Sequence, residues 1–390
     1  MNRSIINLDN ASNSRMRKEI IKIYKKYIEN KYLFNPSSFH FLGRKSKSYI
    51  EISREKISKI INCDPSEIIF TSGGTEGNNI IIRSVVETYN INYIISSKIE
   101  HLSVLNTILD INNKKKINLF FIDNDKLGNL NLKKFKKKIK KIYKKNRILV
   151  SIMYINNEIG NINNIYKIGK ICKKYKILFH SDLVQFVGHY KINVKNLLCN
   201  FFTASAHKFY GPFGIGFIFI KKGFILNKFI TGGNQEKGIR SGTENLYGII
   251  CLYKALELSK NNFLYEKKYI SFLKKYCIFL LKQNINNIKF NGLSENMIKS
   301  SFYILNIRLP IKDDLLHIKL DLRGIIISKG SSCNKNNESH VIKNILNIKN
   351  LKNTTSIRIS FSIYNKKKDI ELFVYELKRM IINNNLLKIN

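Results

Sequence analysis

Lys208 closes the run Phe202-Thr203-Ala204-Ser205-Ala206-His207-Lys208, which sets a hydroxyl, an imidazole and a primary amine within four positions. A neutral lysine amine can condense with an aldehyde, provided a rigid backbone aims it and neighbouring groups hold the partner in place. Ser205 and His207 are suited to a phosphate, while Lys208 points at the carbon to be attacked. The chain carries 68 Lys and Arg, so a given lysine is by default a solvated surface group. Lys208 stands apart only if complementary groups recur elsewhere in the sequence.

They do recur, each behind an apolar run. Ile68-Ile69-Phe70 leads into Thr71-Ser72-Gly73-Gly74-Thr75, a turn and helix start whose amides, with the Thr75 hydroxyl, suit an anion. Its spacing is neither that of a Walker loop nor that of the dinucleotide fingerprint. Tyr93-Ile94-Ile95-Ser96 precedes Glu100-His101, an imidazole able to stack on a ring or to move protons. Ile148 to Met153 precedes Asn156-Asn157-Glu158, and Ile177-Leu178-Phe179-His180 precedes Asp182 and Gln185. A carboxylate facing a pyridine nitrogen keeps it protonated and makes the ring an electron sink, and Gln185 could bond the ring oxygen. Each element is equivocal alone. Thr75, His101, Asn157, Asp182, Gln185, Ser205, His207 and Lys208 on successive strand ends together point to pyridoxal 5'-phosphate.

The elements that must position them alternate short apolar runs with amphipathic helices from about residue 50 to 220. Besides those above, strands are expected at 118–122, 201–203 and 215–220. Near-continuous apolar strands imply a mainly parallel sheet covered on both faces, with ligands outside the carboxyl ends of its strands. After about 258 a long helical segment leads to a smaller mixed region with strands near 303–308, 325–328 and 356–361. The expected division is a large domain over 14–258 and a small one from 1–13 and 259–390.

Composition sets the outer limits. A chain of 390 residues, 44% hydrophobic and 11% aromatic, is that of a folded globular protein. No apolar run approaches a membrane span and the N-terminus has no signal-like core, so a cytoplasmic protein without membrane association is expected. Six scattered cysteines without a C-x-x-C pair argue against a zinc cluster or a disulfide framework. Cys333 alone sits in a polar stretch, Lys329-Gly330-Ser331-Ser332-Cys333-Asn334-Lys335-Asn336-Asn337, where a thiol should be accessible. The net charge of +41 reads either as attraction to a polyanion or as a compositional bias towards Lys, Asn and Ile. The even spread of lysines favours bias, and direct nucleic-acid binding is not expected.

With these residues in view, the chain resembles the cysteine desulfurases, of the NifS/IscS type within the class-V aminotransferases. The resemblance runs over nearly the whole length. Its motifs are Asn7-Leu8-Asp9-Asn10-Ala11-Ser12, Phe34-Asn35-Pro36-Ser37-Ser38-Phe39-His40, Thr71 to Asn79, Ile99-Glu100-His101 and Asn156 to Gly160. It continues through Ser205-Ala206-His207-Lys208, Arg240-Ser241-Gly242-Thr243, Gly330-Ser331-Ser332-Cys333 and Ser356-Ile357-Arg358-Ile359-Ser360. It implies an α/β chain of fold type I, aspartate-aminotransferase-like, forming a homodimer. It also implies that L-cysteine becomes L-alanine, with sulfur captured as a persulfide on Cys333, in the loop near 329–337. The acceptor would be an iron–sulfur scaffold or a tRNA-thiolating protein. A selenocysteine lyase, or another fold-type-I lyase or aminotransferase, is the alternative.

The resemblance also implies roles. Lys208 would be the Schiff-base lysine, Asp182 the pyridinium partner and His101 the imidazole over the ring. Gly74, Thr75, Ser205 and His207 would hold the phosphate, joined by Thr243 from the other subunit. Asn157 and Gln185 would contact the ring hydroxyl side, and Arg358, helped by Asn35, the substrate carboxylate. Three positions depart from the family pattern. Ala206 replaces a glycine, Leu183 replaces an alanine and would crowd the cofactor, and the nucleophile segment reads Lys-Gly-Ser-Ser-Cys instead of Ser-Gly-Ser-Ala-Cys.

Overall fold

The computed structural model describes residues 5–329, 339–346 and 348–386. Seven of the expected apolar runs become one sheet. Its strands are β2 (Ile68–Thr71), β3 (Tyr93–Ser97), β4 (Asn118–Ile122), β5 (Ile148–Ser151), β6 (Leu178–Asp182), β7 (Phe201–Ser205) and β8 (Gly216–Ile220). They lie in the order β2-β8-β7-β6-β5-β3-β4. Strand β8 runs antiparallel to both its neighbours and every other pairing is parallel. Every residue of β2, β3, β5, β7 and β8 is buried, because helices cover both faces and leave no solvent side for polar alternation. The helix Gly74–Thr88 can lie directly on β7 and β8 because Gly77 has no side chain. A Cβ there would stand 2.6 Å from Thr203 Cγ2 and 2.8 Å from Ile218 Cγ2.

A smaller part is built on β9 (Lys289–Phe290), β10 (Ile304–Leu309) and β12 (Thr355–Ser360), antiparallel in the order β12-β10-β9. Strand β1 (Ile6–Asn7) pairs in parallel with β11 (Ile325–Ile326). Just after it, Ser360 N donates to the carbonyl of Leu8 at 2.7 Å. Residues 6–10 thus thread between β11 and β12.

The two parts share the helix Leu246–Asn284, 39 residues long and therefore about 58 Å from end to end. It packs on the helices Lys18–Ile28 and Phe41–Ile61 and also on Lys367–Leu386. The expected domain boundary at 258 falls inside this continuous helix, which is buried through Leu252, Ala255 and Leu256. Among the described residues no helix is long and apolar enough to cross a membrane, and no group of three His, Cys, Asp or Glu could hold a metal ion.

Candidate active site

The carboxyl ends of β2, β3, β5, β6 and β7 converge on one cavity of about 230 Å³. At the end of β2 the chain turns through Gly73, at φ +153°, a conformation open to glycine, where a Cβ would also stand 3.3 Å from Ser205 Oγ. The helix then starts at Gly74, where a Cβ would meet Val184 Cγ2 at 2.8 Å. The first-turn amides and Thr75 thereby face the cavity without an intervening side chain. The nearby carboxylate of Glu76 is paired with Arg240 at 2.8 Å, so it does not oppose an anion there.

His101 ends the turn after β3 and caps the next helix, Leu102–Lys115, with its own ring. Its Nδ1 accepts from Ser103 N at 3.1 Å and lies 2.8 Å from Ser103 Oγ. An accepting Nδ1 carries no proton, so the neutral ring keeps its proton on Nε2. Burial lowers the His101 pKa; Asp182 opposes this, while Lys208, His340 and Arg358 add to it. The preceding Glu100 is fully buried. Burial, reinforced by Asp182, pushes its carboxyl well above the usual range.

Asp182 closes β6. Its Oδ2 accepts from Asn78 Nδ2 at 2.8 Å and its Oδ1 from Val184 N at 2.9 Å, which fixes the plane of the carboxyl group. Asn78 also donates to Ser103 Oγ at 2.8 Å, so one amide aligns both the carboxylate and the cap of His101. Gln185 donates to the carbonyl of Ala11 at 3.0 Å and accepts from the Tyr303 hydroxyl at 2.7 Å.

Lys208 lies in a single 3-10 turn, Ala206–Lys208, that follows β7. Its amine donates to the carbonyls of Ala11 at 2.8 Å and Ser12 at 2.6 Å. Its own carbonyl accepts from His189 Nε2 at 2.8 Å, which secures the turn. Ser205 Oγ and His207 Nδ1 are 3.0 Å apart, and His207 stacks on Phe213. Burial, with the charge of Lys208, lowers the His207 pKa to about 4 and leaves the ring neutral.

The opposite wall comes from distant sequence. Arg358, in β12 and 1% exposed, donates from Nη1 to the carbonyl of Asn157 at 2.6 Å. From Nη2 it reaches Asp9 Oδ1 and Ser12 Oγ, both at 2.7 Å. Its Nε is buried without a partner, as is Asn157 Oδ1. Such orphaned polar atoms are costly unless something binds there.

Of the residues expected from sequence, Gly74, Thr75, His101, Asn157, Asp182, Gln185, Ser205, His207, Lys208 and Arg358 line this one cavity. Asn35 and Thr243 do not; both are exposed, and Asn35 Oδ1 accepts from Ser37 N at 2.9 Å in a local turn. Cys333 lies outside the described residues. The other five cysteines are unpaired thiols, and burial pushes Cys199 and Cys251 up to about 12. Leu183, expected to crowd the cofactor, is fully buried in the hydrophobic core and does not line the cavity. Val184, in the turn that follows β6, takes that place. Ala206 is likewise buried, and a Cβ on Gly211 would meet it at 2.9 Å. Sequence reasoning missed Asn78 and Ser103, whose signal was their spacing behind the Gly-Gly-Thr and Glu-His turns.

A primary amine, a fixed carboxylate, a neutral imidazole, an anion-seeking helix start and a buried guanidinium fit pyridoxal 5'-phosphate and an amino acid. With the mainly parallel sheet, they define a fold-type-I pyridoxal-phosphate enzyme. Comparison with known proteins narrows this. The aminotransferase class-V family model matches residues 6–373. A cysteine desulfurase IscS of Dictyoglomus turgidum is 38% identical over 378 residues, covering 96% of this chain and 94% of that protein. The solved structure of a NifS-like protein superposes with a TM-score of 0.88 at 29% identity, covering 97% of this chain and 99% of the other. A NifS-like protein from Rickettsia africae gives a TM-score of 0.85 at 32% identity, with the same coverages of 97% and 99%. The chain belongs to the class-V aminotransferase family, on its pyridoxal-phosphate-dependent cysteine desulfurase branch.

Proposed function

We propose that this cavity converts L-cysteine to L-alanine, with Lys208 as the lysine that carries the cofactor and Cys333 as the acceptor of sulfur. The observation that supports the reading is the convergence of Lys208, Asp182, His101 and Arg358 on one cavity. A plain anion pocket needs no carboxylate, and a plain cation pocket needs no helix start.

When bound, pyridoxal 5'-phosphate supplies an aldehyde for an amine and a ring that accepts the electron pair of a Cα–H bond. Gly74, Thr75, Ser205 and His207 hold its phosphate, with Thr243 of a second subunit closing the cradle in a homodimer. Asp182, held by Asn78 and Val184, keeps a proton on the pyridine nitrogen. Asn157 and Gln185 bind the ring hydroxyl side. His101 exchanges protons at Nε2 alone, because Ser103 occupies Nδ1. The carbonyls of Ala11 and Ser12 hold the Lys208 amine at the cavity wall whenever it is not bonded to the cofactor. Arg358 takes the substrate carboxylate.

The Cys333 thiolate attacks the sulfur of the bound substrate. A sulfur–sulfur bond forms, the Cβ–S bond breaks, and its electron pair stays on carbon, which takes up a proton to become the methyl group of alanine. Only the thiolate is nucleophilic. The persulfide is then passed, in the cytoplasm, to an iron–sulfur scaffold or a tRNA-thiolating protein.

The test is alanine formed from L-cysteine with a reductant, in wild type, Lys208→Ala and Cys333→Ala. Alanine and sulfide from wild type alone are expected. Wild-type rates in Cys333→Ala would remove the thiol from the mechanism and favour a different lyase.

A further inference from the structure

The groups that move protons and bind substrate stand on two turns, Glu100–His101 after β3 and Asn157–Gly160 after β5. One short segment, 339–346, covers both. Its helix His340–Ile345 packs Val341, Ile342 and Ile345 against Ile99 and Ile159.

Polar bonds fasten the start of this segment. His340 Nε2 lies 2.9 Å from the carbonyl of Glu100, so that nitrogen carries the ring proton. Ser339 Oγ accepts from Ile342 N at 3.1 Å, capping the helix, and donates to Oε2 of the fully buried Glu158. Apolar contact alone would hold the helix against Ile99 and Ile159, and it does so without setting a register. Buried hydrogen bonds add little net adhesion, but they are costly when misplaced, so they fix position. Here they fix the residue before His101 and the residue after Asn157.

We propose that His340 and Ser339 are positioning residues for the desulfurase reaction. By holding the Glu100 carbonyl and the Glu158 carboxylate, they keep His101 Nε2 and the Arg358-bound carbonyl of Asn157 in register across the cavity. Ser339 is also where the chain returns from the stretch that bears Cys333, so the same bonds set one end of that stretch beside both turns. A second tie, Asn156 Nδ2 to the carbonyl of Ile99 at 2.8 Å, joins the turns directly. Loss of His340 therefore loosens the register without dissolving it.

The inference rests on the function proposed above, and its test separates the two. Cofactor-loaded wild type, His340→Gln and His340→Met are compared by kcat and KM for L-cysteine, and by amide hydrogen exchange without substrate. Glutamine keeps a donor near the Nε2 position and methionine removes it. Methionine is expected to lower kcat about tenfold with KM within about twofold, because small misplacement acts on the chemical step. Exchange over 99–104 should quicken several-fold, and glutamine should restore both to within about threefold. Unchanged kcat and exchange in His340→Met, or a glutamine variant as impaired as methionine, overturns the proposal. If His340→Met does not fold, Ser339→Ala decides: faster exchange over 156–161 supports the proposal and wild-type exchange overturns it. A wild type that makes no alanine sinks the desulfurase reading, while the exchange comparison still decides the positioning role.

Discussion

Lys208 and Lys274 are both amines lodged against backbone carbonyls, in different parts of the molecule. Lys208 donates to Ala11 and Ser12 and opens on the cavity that holds His101 and Asp182. Lys274, in the helix Leu246–Asn284, is fully buried and donates to Ser300 Oγ at 2.8 Å and the carbonyl of Ser301 at 2.6 Å. The segment it holds is tied to the Asn157–Gly160 turn, because Ser301 N donates to the carbonyl of Gly160 at 2.7 Å. The local geometry is nearly the same, yet one amine is sealed in the core and the other opens on a cavity. Free volume and the complementary groups around it make the difference, not the amine's own bonds.

The largest expected effect is at Lys208. Lys208→Ala should cut alanine formation on the order of 10³-fold or more with little change in Tm. Lys274→Met should keep turnover within about threefold. Reversed outcomes in the same assay would collapse the comparison. A buried ion pair sharpens it: Arg54 lies 2.7 Å from Glu236, both side chains almost wholly buried. Arg54→Met strands that carboxylate and should cost about 3–5 kcal/mol in urea unfolding. A loss below about 1 kcal/mol would mean the pair is not desolvated.

His101→Gln should lower kcat about 10²-fold, the scale of general acid–base catalysis. Because burial lowers the His101 pKa, its neutral form persists to lower pH. The acid limb of the kcat/KM profile should then fall below pH 6.5 in wild type and vanish in the variant. An acid limb above 6.5, or one that survives the substitution, assigns it to another group.

On turnover the smallest effect is at Lys274, whose pKa burial lowers to about 7 from an ordinary 10.5. Between those values the unfolded chain binds more protons than the folded one, so wild-type stability gains from rising pH across that window. Lys274→Met lacks this gain. The stability difference between the two proteins should shift by up to about 1.4 kcal/mol per pH unit between pH 7 and 10. Parallel unfolding curves at pH 7 and 9 would show an amine that does not titrate there.

Much of this was legible in the sequence, for identifiable reasons. Most strands of the large sheet are short apolar runs buried on both faces, so hydrophobicity alone located them. An ionisable residue stands at or just after the end of several strands, so Asp182, His101 and Lys208, which line one cavity, could be picked out in order. The antiparallel sense of β8 was hidden, because Gly216-Phe217-Ile218-Phe219-Ile220 is as uniformly apolar as its parallel neighbours. The continuous helix through residue 258 was hidden too, since its buried face shifts from one part of the molecule to the other. Leu183 looked obstructive because sequence gives adjacency to Asp182 but not the direction in which its side chain leaves the backbone just beyond the strand. The Arg358 bonds to Asp9 and Ser12 span 349 and 346 positions, and no local pattern encodes them.

Those last bonds bear on how the enzyme is made. Residues 9–12 leave the ribosome early, yet the guanidinium they hold comes some 350 positions later. The seven-stranded sheet can assemble while translation continues, since its last strand ends at Ile220. The cavity cannot. A nascent or interrupted chain can thus display Lys208 and Asp182 on a folded sheet before the Arg358 wall exists, so that wall is completed only as synthesis ends.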